Sequence, residues 1–130
     1  MKMLQFTLYG KTFRARLLEQ DVPKTVAALE AACPFESVVI HAKLNDEEIY
    51  LQTPLALDVP ENLDYPRKGY VLYERSKQVI CMWYGTGYPI GFLSHIAVVE
   101  DAEDLKTFAE VGAKVWEKQG ERIKVELVDA

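Results

Sequence analysis

Two histidines, one strand lysine and a run of aromatics are the residues of this chain best equipped to hold a ligand. His41 and Lys43 stand two apart in SVVIHAKL. Trp83, Tyr84, Tyr88 and His95 fall within sixteen residues, MWYGTGYPIGFLSHIA (Met82–Ala97), that also carry three glycines. Aromatic faces stack against flat or cyclic bodies, while an ammonium and imidazoles suit a carboxylate or another anionic group. Other chemistries fit less well. Two histidines without helical or Cys-x-x-Cys spacing do not form a metal set, so neither metal nor cofactor is expected. No strand–loop–helix context follows the glycines, which argues against a phosphate loop; Gly85, Gly87 and Gly91 read as corner residues with positive φ. No Ser-His-Asp, Cys-His or acid–base carboxylate arrangement can be placed. The structural alternative stays open: His41 and His95 as hydrogen-bonded strand residues, Lys43 as a solvated one, and Trp83 and Tyr84 as packing against a helix.

The elements that must position these residues are mostly strands. MLQFTLYG and TFRARLLE flank a short Gly10-Lys11 turn and predict a hairpin with Phe6, Leu8, Phe13, Ala15 and Leu17 facing inward. Asp21 is placed to cap a helix opened by Pro23, with Val26, Leu29 and Cys33 at helical spacing and Pro34 ending it. SVVIHAKL and EEIYLQT pair across Asn45-Asp46. Alternation predicts that Val38, Ile40, Ala42 and Leu44 point into the core and that Val39, His41 and Lys43 point out. Pro54 to Gly69 is a long loop with room for one short strand. YVLYE and QVICMWYG make another hairpin around Arg75-Ser76-Lys77, and SHIAVVE is a buried strand. Asp101 caps a second helix with an apolar stripe of Leu105, Phe108, Ala109, Gly112, Val115 and Trp116, stopped by Gly120 before the closing strand RIKVELV.

About eight short strands linked mainly by hairpins avoid exposed edges by closing, with helices over the open ends. The expected fold is therefore mainly β: a closed eight-stranded β-barrel capped by two α-helices, with an open α+β sheet as the alternative. The 130 residues fit one domain, residues 1–130. A net charge of −5 disfavours nucleic acid as a partner. No apolar run approaches a bilayer span, and the alternating N-terminus reads as a strand and not a signal peptide, so no membrane partner and a cytoplasmic location are expected. Cys33 and Cys81 lie in apolar segments and read as reduced core thiols.

Several of these segments resemble the cyclophilins. Leu17 to Val26, with Pro23-Lys24-Thr25 opening a helix after a strand and an acidic residue, looks like a cyclophilin segment. So do Ile40-His41 and the run from Met82 to Ala97. The whole chain is similar to an uncharacterised bacterial family of short cyclophilin-like proteins, marked by Pro-Lys-Thr, His-Ala-Arg/Lys and a late strand with Asn/Ser-His. The resemblance implies the same capped eight-stranded barrel. It also implies that the face bearing His41 and Lys43 lies near Trp83, Tyr84 and His95, bordered by the Gly85–Gly91 loop with Tyr88. The prolyl-isomerase arginine, however, is replaced by Ala42 or, one residue on, by Lys43, and neither supplies its fork of donors. His95 stands in place of the family's glutamine, and Ala97 in place of an aromatic pocket floor.

The leading expectation is a small-molecule-binding protein, its ligand anionic or cyclic, held at His41, Lys43, Trp83, Tyr84, Tyr88 and His95. Two further readings stay open: a peptidyl-prolyl isomerase or peptide-binding module, and an assembly protein whose aromatic rim meets a second copy in a homo-oligomer.

Overall fold

The computed structural model describes residues 1–88 and 91–130; Pro89 and Ile90 of the expected Gly85–Gly91 loop lie outside the described residues. Its elements are β1 (Lys2–Leu8), β2 (Lys11–Leu17), α1 (Pro23–Ala32), β3 (Phe35–His41), a 3-10 turn (Lys43–Asn45), β4 (Asp46–Gln52), β5 (Leu63–Asp64), β6 (Tyr70–Glu74), β7 (Val79–Gly87), β8 (Leu93–Val98), α2 (Ala102–Glu117) and β9 (Glu121–Asp129). Antiparallel pairing runs β2-β1-β9-β3-β4-β7-β6-β8, and β8 returns to β2, so eight strands close into a barrel. The seam is narrow. Only Arg16↔Val98 and Leu17↔Ala97 pair across it, after which β5 takes over the same edge of β8 through Leu63↔Ser94 and Asp64↔Leu93.

Local sequence explains most of this. Tyr9 and Gly10 both have positive φ, the two-residue geometry whose twist suits a tight hairpin, so the turn sits one residue earlier than expected. Phe6 pairs with Phe13 as anticipated. Their rings stack at 5.1 Å, and Phe13 stacks on Phe108 of α2 at 4.8 Å. β1 shows that the helices cover opposite ends. Its first residue, Lys2, meets Glu30 of α1, whereas the hairpin beyond its far end meets α2 through Lys11 and Glu110.

Three details differ from expectation. Asp21 does not cap α1. Glu61 in the long loop does so instead, accepting from the amides of Lys24 and Thr25 at 3.1 and 2.8 Å and from the Thr25 hydroxyl at 2.8 Å. Asp101 caps α2 as expected, accepting from the amides of Glu103 and Asp104, but Val111 and not Ala109 completes the buried stripe. The third is the phase of β3, which is reversed: Val39 and His41 are buried, and Val38 is 47% exposed. Three consecutive β-branched residues, Val38-Val39-Ile40, make either phase apolar. The strand then ends at His41, so Ala42 and Leu44, which had voted for the wrong face, never join the alternation.

Gly112 is where α2 meets the wall. A Cβ there would lie 2.4 Å from the Tyr84 ring, so the missing side chain lets Tyr84 lie against the helix. Alanine gains roughly 1 kcal/mol in helix propensity over glycine, less than the about 1–3 kcal/mol cost of overpacking a filled site. Gly112→Ala is therefore expected to destabilise the protein in urea unfolding; equal or higher stability would mean that Tyr84 has room to move.

Candidate functional site

β7 organises the site because it is buried on both sides. Val79 through Tyr84 are six consecutive buried residues. Ile80, Met82 and Tyr84 point into the barrel, while Cys81 and Trp83 point out and form a second cluster with Leu72, against which Tyr50, Tyr70 and Leu93 pack. A strand facing solvent on one side would alternate; this one is covered outside as well. Gly85 and Gly87 belong to β7 and are not positive-φ corners. A Cβ at Gly87 would lie 1.6 Å from the Trp83 indole nitrogen, and one at Gly85 would strike the Glu47 carboxylate. The bare Gly87 leaves room for the indole, which donates to the Asn45 carbonyl at 3.1 Å, and the bare Gly85 leaves room for the Glu47 carboxylate.

The six anticipated residues fall into separate places. His41 and Tyr84 lie at the barrel's inner mouth, with His41 Nε2 and Tyr84 Oη 2.8 Å apart. The imidazole meets Trp116 edge-on at 4.6 Å, and Lys43 Nζ lies 5.4 Å from the same indole. Burial, and then the Lys43 charge, lower the His41 pKa; burial, aided by Glu47 and Asp46, pushes Tyr84 up to about 12. At neutral pH this pair is an uncharged packing unit. Trp83 and His95 occupy the other side of the wall, His95 packed edge-on to Tyr70 at 5.0 Å. Tyr88 is 67% exposed. Ala97, which stands where the resemblance puts a pocket floor, is in the core. The β6–β8 register steps from Val71↔Ala97 to Leu72↔His95, and this bulge at Ile96 turns the two residues to opposite faces.

The outer cluster opens into a groove of about 650 Å³ over β4, β7 and β6, within the range of small-ligand sites. Tyr50, Trp83, Phe92 and Leu93 supply its apolar walls, and Glu48, Glu74 and Cys81 its functional groups. Of the six residues read from sequence, Trp83 alone is in this lining. Glu48 and Cys81 carry no signal of this groove in the sequence, because Glu48 lies in an ordinary alternating strand and Cys81 reads as core. The available signal was QVICMWYG itself, apolar on both faces and so marking a covered exterior.

Glu48 is the unusual group. It is 4% exposed, and its Oε1 accepts from Asn45 Nδ2 at 2.8 Å. Burial raises its pKa above the usual carboxyl value, and the Glu74 charge adds to this; hydrogen bonds from Asn45 and Cys81 pull the other way. Glu74 Oε2 is also shielded from water and has no hydrogen-bond partner; Lys77 approaches it only to 3.8 Å. At the floor between them, burial pushes the Cys81 thiol well above its ordinary value, Glu48 and Glu74 push it further, and Lys77 opposes. Two carboxyl groups, Glu48 and Glu74, and the Lys77 ammonium therefore line the groove. No group of three or more His, Cys, Asp or Glu residues among the described residues has the geometry of a metal site, and none of the helices described is long and apolar enough to cross a membrane.

Fold and groove together define a closed antiparallel barrel with two capped ends and a covered, hollowed outer face. The chain belongs to the DUF3830 family, described as a protein of unknown function, whose model matches residues 5–126. No curated protein matches it. Among solved structures it is similar to McbB, determined in complex with tryptophan, at a TM-score of 0.81 and 17% identity. That match covers 97% of this chain and 44% of McbB, so the chain spans less than half of that protein's length. It is also similar to the hypothetical protein AF2241 from Archaeoglobus fulgidus, in a solution structure, at a TM-score of 0.72 and 23% identity, covering 97% of this chain and 93% of that one. Both likenesses concern the barrel fold.

The raised pKa of Glu48 has a thermodynamic sign. The folded state holds this proton more tightly than the unfolded chain, so stability falls as pH rises from about the ordinary value of 4.5 and stays reduced above the raised one. Glu48→Gln keeps the oxygen that Asn45 needs and removes the buried charge. At pH 7 it is expected to stabilise the fold by about 0.5–2 kcal/mol, with the gain shrinking toward pH 4. Thermal melts across that range check this; a lower melting temperature at every pH would make the carboxylate a structural requirement.

Proposed function

We propose that this protein binds a small molecule with a flat or cyclic body in the outer groove. The single observation behind this reading is a hollow of about 650 Å³ whose walls are Trp83, Tyr50, Phe92 and Leu93. Phe92, 58% exposed at this opening, and the half-buried Tyr50 are the aromatic surface it offers, and exposed apolar patches of this kind mark interaction sites. The indole of Trp83 is held in place by Asn45 and Gly87, and a pre-ordered wall reduces the entropy lost on binding. McbB, solved with tryptophan, supports the idea that a barrel of this shape is compatible with an aromatic ligand, although this chain matches only 44% of it.

A prolyl isomerase is the weaker reading. Among the described lining residues none is an arginine, and Ala42 sits at the groove while Lys43 is carried away on the 3-10 turn. Association with a second copy would draw on Leu44, Tyr65 and Phe92, which are exposed around the same opening.

Ligand-dependent thermal shifts with a panel of heteroaromatic compounds test the proposal. Hits are expected, and Phe92→Ala, at a side chain exposed enough not to disturb folding, should weaken them several-fold. Hits indifferent to both Phe92→Ala and Trp83→Phe would move the site elsewhere on the molecule.

A further inference from the structure

The groove's charge specifies its occupant more closely. Resting on the reading above, we propose that the ligand is a cationic aromatic amine, its ring against Tyr50 and Phe92 and its ammonium group received by Glu74 and Glu48.

Three observations lead there. First, both carboxyl groups line the hollow: Glu48 is 4% exposed, and Glu74, its side chain 27% exposed, has one oxygen, Oε2, shielded and without a hydrogen-bond partner. A shielded carboxylate oxygen is costly to leave unmatched, and a ligand N–H⁺ supplies the hydrogen bond that Glu74 Oε2 lacks together with a charge to oppose it. Second, Lys77, the one cation among the described lining residues, has a side chain 75% exposed and pairs with Glu74 only at 3.8 Å, a distance at which an exposed ion pair contributes little. Third, the groups that favoured an anionic ligand are absent from the groove. Lys43 lies over Trp116, His41 faces Tyr84, and His95 packs on Tyr70. The accessible aromatics act in the same direction, because the negative ring faces of Phe92 and Tyr50 attract an ammonium.

Three probes sharing one ring separate ring from charge: tryptamine, indole and indole-3-propionate, titrated calorimetrically at pH 7 and low salt into the protein and into Glu74→Gln. Tryptamine is expected to bind about tenfold or more tightly than indole, the effect of one charge-assisted contact. The propionate should bind more weakly than indole. Glu74→Gln should remove most of the tryptamine advantage and leave indole unchanged, and raising the salt should narrow the gap as well. Equal binding of tryptamine and indole, or tightest binding of the propionate, would overturn the amine and leave the groove as a site. Failure of all three to bind would remove the groove and the amine together.

Discussion

The rest of the structure depends on one strand having no face to spare for water. β7 buries Tyr84 against α2 on one side and Trp83 against the outer cluster on the other, so the wall of the barrel is also the floor of a second, external layer. Full burial of a large apolar side chain contributes about 1.5–3 kcal/mol, and β7 gains that on both faces. The requirement constrains its neighbours. Gly112 must be bare for Tyr84 to seat, Gly87 must be bare for Trp83 to seat, and the Asn45 carbonyl must turn toward the indole. The groove is what remains where the outer layer covers β7 incompletely.

The same two-sidedness separates the polar groups by role. Inside, the His41–Tyr84 pair is desolvated and uncharged at neutral pH, joined to Trp116 and Gln119 at the end of α2. Outside, Glu48 keeps a carboxyl in a place where burial works against its charge. A protein selected for stability alone would have little reason to retain it.

Much of the barrel was legible in the residues. Alternation in MLQFTLYG and TFRARLLE, the Asp101 cap and the Gly120 stop, and the hairpin around Arg75-Ser76-Lys77 are local signals, and the folded chain keeps them. What was not legible depended on long-range partners. Val38-Val39-Ile40 is apolar in either phase, and only pairing with Leu51 and Ile49 on β4 decides which face turns inward. The bulge at Ile96 inverts His95 relative to Ala97 with no glycine or proline to announce it. The cap of α1 comes from Glu61, 37 residues beyond Lys24, where no local motif points. These turned sides explain why the histidines and the lysine were expected in one place and lie on two faces of a wall.

The stretch from Glu61 to Pro66 links parts of the molecule that otherwise lie apart. Glu61 holds the first turn of α1, Asn62 exchanges hydrogen bonds with the backbone of His95, Leu63 and Asp64 extend the sheet where β2 leaves off, and Pro66 forms part of the groove rim. A six-residue strap thus buckles a helix, the narrow joint of the cylinder and the lip of the hollow onto one short piece of backbone. Because these anchor points share one short covalent path, the cap of the helix, the seam of the cylinder and the edge of the hollow are all positioned by the same backbone.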